Sequence, residues 1–305
     1  MSHPGRLAQT ILPTHDWMSS LQRQLGFRVQ RGISLSHYSS IGIGGPAALF
    51  GRASSTGELA QMILLARRDQ VETLVLDDGL CLLIGDWGFD GFAIRLEGAL
   101  NSLIPEAGGL AAGGACAVGR VIEACLAARI DPSPIACLQG QLGAALMRAS
   151  SHEQEMISGL IDRVEFVDLA GRIGTVTRLG DLPEQLGAIT RVAIRGPAIL
   201  DEGGIADRVE ARRMLLQSRA PKYQHLGSAL RLADGSSAAP AVRKVGLAGL
   251  SMGQVGIPAG SPDTIINLGG ATAREVLDLV DCVAARLYGR LNLTLEPDLR
   301  IVGGF

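Results

Sequence analysis

The sequence predicts an α+β protein made of more than one unit, and three observations carry this prediction. A β–α–β pattern occupies the first third of the chain, a hairpin pattern spans residues 164–177, and a capped amphipathic helix begins near Thr272. The 305 residues suffice for two or three domains. A content of 47% hydrophobic and 19% charged residues is typical of a globular protein with a sizeable core.

The β–α–β pattern begins behind the glycine-rich segment 39–46. A capping cluster at 54–56 precedes a predicted helix whose apolar residues recur at helical spacing, namely Leu59, Met62, Ile63 and Ala66. An apolar strand is predicted over 73–76, and a second apolar run follows over 82–84. A further helix is predicted near Trp17–Leu25.

The middle of the chain reads as a second α+β region. This region begins near Ile94–Leu96, and a helix predicted over Val118–Arg129 is ended by the prolines that follow it. Residues 164–177 alternate apolar and polar side chains around a turn at Ala170–Gly171, which predicts a hairpin. Another strand is predicted over 192–194.

The last third begins with a charged amphipathic helix predicted over 205–218, with Val209, Met214 and Leu215 on its apolar side. Thr272 and Glu275 have the spacing of a capping box. The apolar face of the helix behind them consists of Val276, Leu277, Val280, Val283, Ala284 and Leu287. Closing strands are predicted around Leu293, Leu295, Leu299 and Ile301.

Composition excludes several classes of function. A net charge of −2, only two lysines and 4% aromatic residues argue against a nucleic-acid-binding protein. Five cysteines without CxxC spacing indicate buried reduced thiols. No apolar run reaches the roughly 18 residues of a membrane span, and no apolar core of signal-peptide length stands at the N-terminus, so a cytoplasmic location is expected. The five histidines and the acidic pairs predict no metal site.

Two turns could approach a phosphate group. Gly42, Gly44 and Gly45 form a Gly-x-Gly-Gly turn, which either binds phosphate or is simply a tight structural turn. Residues Asp77-Asp78-Gly79 follow a strand, where backbone N–H groups could face a diphosphate. The two carboxylates repel phosphate, although Asp-Asp-Gly is also ordinary turn chemistry.

Five segments follow one another along the chain in register: Ser40–Ala47, Leu82–Gly91, Gly227-Ser228, Asn267–Ala273 and Leu295–Arg300. Together they resemble the UDP-N-acetylenolpyruvoylglucosamine reductase family of peptidoglycan synthesis. The resemblance implies a two-part FAD-binding (PCMH-type) module followed by a smaller α+β C-terminal substrate-type domain. It suggests an N-terminal extension over 1–36, flavin-type subdomains over 37–100 and 101–204, and the C-terminal domain over 205–305.

The resemblance also implies an activity and its residues. An active member would bind FAD, take hydride from NADPH and reduce the enolpyruvyl ether of a UDP-sugar. Ser228 would protonate the substrate, and Asp298 stands where the family has a glutamate. The cofactor-binding candidates are Gly42, Gly44, Gly45, Gly79, Gly140, Gly143 and Arg148.

This chain departs from the family pattern at four places. The Gly-Gly-Gly-Ser-Asn-like flavin loop is Asp77–Cys81 here, and the second flavin segment is Cys137–Ala145, with Arg148 at an asparagine position. The Tyr-Arg-x-Ser motif has no counterpart, and the His-x-Asn-Phe segment is Ser261–Thr264. Since arginine suits phosphate geometry, Arg148 is a candidate replacement donor to a phosphate.

Several donors are lost together and two acids are added, so we expect a diverged member with impaired or lost reductase activity. Such a protein would bind a nucleotide-sugar or serve as a partner in a cell-wall enzyme assembly. Two alternatives stay open: an active NADPH-dependent flavoenzyme of the family, and a flavin oxidoreductase of another specificity.

Overall fold

A computed structural model describes residues 15–196 and 222–305, together with positions 203–205, 207, 209–211 and 214. Those isolated positions are helical; 205, 207, 209–211 and 214 fall within the predicted helix 205–218, and 203–204 precede it. Leu215 and the remaining positions of the predicted helix lie outside the described residues. Short 3₁₀ turns connect several elements, at Gly26–Arg28, Leu35–Tyr38, Gly98–Asn101, Ser133–Ile135 and Leu179–Asp181.

The first sheet contains the predicted β–α–β unit. Its region holds helices α1 (His15–Leu25) and α2 (Thr56–Arg68) and strands β1 (Val29–Gln30), β2 (Ile33–Ser34), β3 (Pro46–Ala53), β4 (Thr73–Leu76), β5 (Leu82–Ile84) and β6 (Phe89–Leu96). The strand order is β1-β3-β6-β4, with β2 on β3, and β6 runs parallel to both β3 and β4. Helix α2 begins where the Ser55 side chain accepts a hydrogen bond from Glu58 N. The predicted apolar face of α2 is buried, which confirms that prediction.

The second sheet is antiparallel throughout. It consists of β7 (Leu103–Glu106), β8 (Gly109–Gly113), β9 (Ile161–Asp168), β10 (Ile173–Val176) and β11 (Leu186–Ile194), in the order β10-β9-β11-β8-β7. Three helices lie between β8 and β9: α3 (Val118–Ala127), α4 (Leu142–Arg148) and α5 (Ser151–Ser158). The predicted hairpin is confirmed as β9–β10, with Gly171 at φ 76° in its turn.

The C-terminal region packs a small sheet against one long helix. Its elements are β12 (His225–Leu226), α6 (Ala239–Lys244), β13 (Ser251–Met252), β14 (Val255–Gly256), β15 (Ile265–Asn267), α7 (Ala273–Leu291) and β16 (Arg300–Val302). The sheet order is β12-β15-β14-β13. The predicted capping box of Thr272 and Glu275 is present at the start of α7.

The closing strands differ from the prediction. Only β16 forms, and Leu295 makes a single bridge to Leu232. Residues 296–298 stay irregular because Pro297 has no N–H and the Asp298 N–H donates to Ala229 O at 2.8 Å. Strand β16 pairs in parallel with β5, so the end of the chain adds to the first region.

The hydrophobic core divides into separate clusters under these sheets. One lies beneath α7, one beneath α3–α5, and two lie on either side of the first sheet. Strands β1 and β2 join the first sheet, although the predicted N-terminal extension 1–36 contains both. The boundaries proposed at 36, 100 and 204 otherwise remain a prediction. Within the described residues, no helix combines the length and apolarity needed to cross a membrane.

Candidate functional site

The loop after β4 holds its two acidic side chains in tight local turns. Asp77 Oδ1 accepts a hydrogen bond from Gly79 N at 2.8 Å, and Asp78 Oδ1 accepts one from Leu80 N at 3.1 Å. Gly79 has φ 67°, and a Cβ there would lie 2.7 Å from Tyr38 O. The conformation and packing of the loop therefore require glycine at position 79.

The carboxylate of Asp78 also binds the second region. Gln141 N donates to Asp78 Oδ2 at 2.9 Å. The Arg148 guanidinium donates to Oδ1 at 3.1 Å and to Oδ2 at 2.9 Å, a bidentate pair. The side chains of Asp78 and Arg148 are 10% and 23% exposed, so this ion pair is largely shielded from water. Four hydrogen bonds thus hold one carboxylate between the two predicted flavin segments.

Gly140 and Gly143 contact the protein itself. Gly140 has φ 83°, and a Cβ there would overlap Asp78 Oδ2. A Cβ on Gly143 would lie 2.9 Å from Ile189 O. Both glycines allow close packing within the chain, and Gly140 specifically admits the Asp78 carboxylate.

The entry turn is also packed against its own chain. A Cβ on Gly42 would overlap the Gln224 side chain, one on Gly44 would lie 3.0 Å from Ile84 Cβ, and one on Gly45 would overlap Gly88 N. None of Gly42, Gly44 and Gly45 lines the cavities described below. Their presence is accounted for by the tight structural turn, and their role in cofactor binding stays a prediction.

The segments that carry the resemblance hydrogen-bond to one another around this loop. Ser40 Oγ lies 2.6 Å from both Gly79 O and His225 O, and shares its single proton between them. Gly227 N donates to Leu80 O at 2.6 Å, and the buried Asn267 side chain donates to Ile41 O at 2.9 Å. These segments therefore have a structural role that needs no ligand.

Ser228 and Asp298, the predicted catalytic residues, line the same cavity of about 170 Å³. The hydrogen bond from Asp298 N to Ala229 O, beside Ser228, holds the two segments together. Ser228 is exposed, and Asp298 Oδ2 lies 3.4 Å from Arg231 Nε. The structure thus brings the pair together, and their catalytic roles remain a prediction.

A second cavity of about 190 Å³ lies beside the first. Arg148, Cys81 and Asp298 line both, so the two cavities adjoin at these three residues. Burial, and to a smaller extent the negative charge of Asp298, raises the pKa of Cys81 to about 11, so this thiol is protonated at neutral pH. Burial and the neighbouring Asp78 carboxylate likewise raise the pKa of Asp77.

Sequence reasoning missed three participants. Arg231 pairs with Asp298, the charge of Arg300 offsets part of the rise in the pKa of Asp77, and Gln141 donates its backbone N–H to Asp78. The sequence did signal Arg148, but as a donor to phosphate; the structure gives it Asp78 as a partner. Over the described part of the chain, no group of three or more histidine, cysteine, aspartate or glutamate side chains could hold a metal ion.

Comparison with known proteins supports the resemblance along most of the chain. The model of the UDP-N-acetylenolpyruvoylglucosamine reductase C-terminal domain matches residues 219–302. The reductase of Rubrobacter xylanophilus is 30% identical over 289 residues, which cover 88% of this chain and 93% of the relative. The reductase of Myxococcus xanthus is 29% identical over 295 residues, covering 92% and 94%.

The solved structure of the Thermus caldophilus reductase has the same fold. It superposes with a TM-score of 0.72 at 24% identity, covering 90% of this chain and 99% of that one. The predicted α+β class, with a two-part flavin-type module and a C-terminal domain, is confirmed by this likeness. Identity to the Rubrobacter relative over nearly the whole of both proteins extends the relationship beyond the C-terminal domain. This chain belongs to the UDP-N-acetylenolpyruvoylglucosamine reductase family.

Proposed function

We propose that this chain is a member of the reductase family in which reductase activity is impaired or lost because FAD is not held between the two glycine turns. The observation that carries the proposal is the Asp78 carboxylate, which accepts hydrogen bonds from Leu80 N, Gln141 N and Arg148. These are the donors that a diphosphate would need at this place. The residues present therefore do not fit FAD.

Charge argues in the same direction. Asp77 and Asp78 occupy the entrance of the loop, and only Asp78 has a bidentate arginine partner, while Arg148 lies 3.9 Å from Asp77. Two unit charges about 4 Å apart near a protein surface repel by roughly 4 kcal/mol. Arg148 and Arg300 offset part of this repulsion at Asp77, and a remainder of about 2 kcal/mol would still weaken binding roughly 30-fold.

The cavities are also small for a dinucleotide. The two adjoining cavities measure about 170 and 190 Å³ and share Arg148 in their lining, and a third beside Gly143 measures about 30 Å³. Sites for drug-sized ligands typically measure about 300–1,000 Å³. A dinucleotide would have to displace Arg148 from Asp78 and leave that carboxylate buried without its partner.

Under this proposal, the chain acts by binding a ligand or a partner protein. The chain would hold part of a UDP-sugar in the cavity lined by Ser228, Arg231 and Asp298, or act as a partner of a cell-wall enzyme. The polar lining supports a ligand with hydroxyl groups, because serine, arginine and carboxylate side chains together offer donors and acceptors.

A second candidate is an active reductase that uses FAD and NADPH. The observation that favours it is the placement of Ser228 and Asp298 on one cavity. Ser228 would supply the proton and Asp298 would take the place of the family's glutamate. This candidate requires Arg148 to leave Asp78.

The absorbance spectrum of freshly purified protein, joined to a turnover assay with UDP-N-acetylenolpyruvoylglucosamine and NADPH, tests the proposal. We expect a colourless protein that stays colourless after incubation with FAD and desalting, and no turnover. Stoichiometric flavin in the spectrum, or turnover above a no-enzyme control, would overturn it. Flavin without turnover would point to an oxidoreductase of another specificity.

A further inference from the structure

We propose that Asp78 is an internal anion that takes the place of a phosphate group and joins the two flavin-type subdomains without a cofactor. The inference rests on the proposed function, and it gives the Asp78–Arg148 pair a positive role. Loss of cofactor binding alone would require only missing donors or added repulsion. The structure instead has a carboxylate seated on donors that remain.

The donors converge on Asp78 from two parts of the chain. Leu80 N comes from the loop after β4, whereas Gln141 N and the Arg148 guanidinium come from the segment at α4. Two backbone N–H groups and a bidentate guanidinium form a donor set that suits phosphate and carboxylate alike. The site is thus an oxyanion site whose anion is part of the protein.

The backbone around the site is adapted to this anion. Gly140 has φ 83°, and any side chain there would overlap Asp78 Oδ2. Asp78 is 10% exposed, and its carboxylate has four hydrogen bonds, so it is neither a solvated surface acid nor an unpaired buried charge. A carboxylate in this environment ties residues 78 and 148, which are 70 positions apart.

The geometry also defines what could replace the side chain. Substituting glycine for Asp78 removes one methylene and one carboxylate and leaves Gln141 N and Arg148 facing the gap. A free oxyanion should then bind there, since charge-assisted hydrogen bonds to arginine are retained. Inorganic phosphate is the probe that tests the phosphate analogy, and acetate is the probe that restores the missing atoms.

The experiment compares thermal unfolding of the full chain in phosphate, acetate and chloride buffers of equal ionic strength. We expect Asp78→Gly to unfold at a lower temperature than the parent in chloride, and to be stabilised by phosphate and acetate. At ten times its dissociation constant, a single bound anion should raise the unfolding temperature of a chain of this length by roughly 2–3 °C. The parent protein should show no such difference between buffers.

Two further variants isolate the site. Asp77→Gly is the matched control, because it removes the neighbouring acid and a turn hydrogen bond but leaves Asp78 in place. It should not respond to phosphate. Asp78→Gly combined with Arg148→Ala removes the main donor, and the response of Asp78→Gly should disappear.

An equal response of the parent and Asp78→Gly to both anions would overturn the proposal. Failure of Asp78→Gly and Asp78→Ala to fold even when expressed and purified in phosphate would also overturn it, because a free anion then cannot replace the carboxylate. These outcomes leave the proposed function standing, since that proposal depends on the flavin content of the parent. Bound flavin in the parent protein would instead contradict both the proposed function and the role proposed for Asp78.

Discussion

Two adjacent acids in this chain have opposite environments. Asp78 accepts four hydrogen bonds, two of them from the Arg148 guanidinium, whereas Asp77 accepts one backbone hydrogen bond and lies 3.9 Å from the same guanidinium. Burial and the Asp78 charge raise the pKa of Asp77, and Arg148 and Arg300 offset this only in part. Neighbouring aspartates can therefore differ in their effect on stability.

The Asp77 carboxylate should be destabilising at neutral pH. A raised folded-state pKa means that the folded state binds a proton more tightly than the unfolded state, so its contribution to stability falls as pH rises through the window between the two values. We expect Asp77→Asn to raise the unfolding temperature at pH 7, with the gain shrinking toward pH 3. Thermal unfolding across pH checks this. A gain that does not depend on pH would contradict the stated cause.

Asp78→Asn should have the opposite effect. The amide keeps one acceptor but leaves the Arg148 charge without its partner, which for a largely buried pair costs roughly 3 kcal/mol. Denaturant unfolding at pH 7 measures the change, with Asp77→Asn as the control. Equal effects of the two substitutions would mean that the ion pair has no special role.

Local chemistry at single residues could be predicted from the sequence, but their distant partners could not. The Asp-Asp-Gly turn and the repulsion of phosphate followed from local chemistry. The partner of Arg148 did not, because a contact between residues 70 positions apart depends on how two sheets pack. Arginine at an asparagine position was a signal of altered anion chemistry, but it did not identify the anion.

The N-terminus of helix α7 is capped both by residues next to it in sequence and by a residue far away in sequence. Its capping box of Thr272 and Glu275 was readable from sequence. Asp86, from the turn after β5, also accepts hydrogen bonds from Ala273 N at 2.9 Å and Arg274 N at 3.4 Å. Sequence spacing could not reveal this second acceptor, because it lies nearly 190 residues away.

Thr272→Ala should destabilise the protein by about 1 kcal/mol, the usual loss for a removed N-cap side chain. Chemical denaturation measures it, and Asp278→Ala on the exposed side of α7 is the matched control, expected to change stability by less than about 0.5 kcal/mol. A loss at Thr272 no larger than at Asp278 would mean that Asp86 alone suffices to start the helix.

The β9–β10 hairpin has a pH-dependent acceptor in Asp168. Burial opposes ionisation, but hydrogen bonds from Arg172 and Ala170 outweigh it and lower the pKa. The ionised carboxylate therefore stabilises the folded state at pH above the unfolded-state pKa of about 3.9. This stabilisation is lost as pH falls through the lower pKa of the folded state. Asp168→Asn should therefore destabilise the protein at pH 7 and much less near pH 2. Unfolding measured across pH tests this. A stability difference between the parent and Asp168→Asn that is the same at pH 7 and pH 2 would contradict it.

Long periodic elements were predictable and short strands were not. Helix α7, helix α2 and strand β4 follow apolar periodicity or buried apolar runs. Strands β1, β2 and β12–β14 have two residues each, which is too short for an alternating pattern to emerge. Their pairing is set by the packing of neighbouring elements.

For the whole molecule, the contacts that maintain the fold are distinct from the groups that a cofactor site needs. The segments around Ser40, Gly79, Gly227 and Asn267 hydrogen-bond to one another, so packing alone retains them. Their order along the chain predicted the family, and the solved relative confirms the fold. A core depends on pattern and volume, whereas a cofactor site depends on particular groups, so the family fold can persist in a chain whose flavin-loop residues depart from the family pattern.

The claim that Asp78 occupies the position of the cofactor's phosphate is tested most directly by titrating the purified protein into FAD and following flavin fluorescence. We predict no saturable change up to about 0.1 mM protein, because both the repulsion and the loss of free donors weaken binding. Saturable one-to-one binding at micromolar concentration would contradict the account.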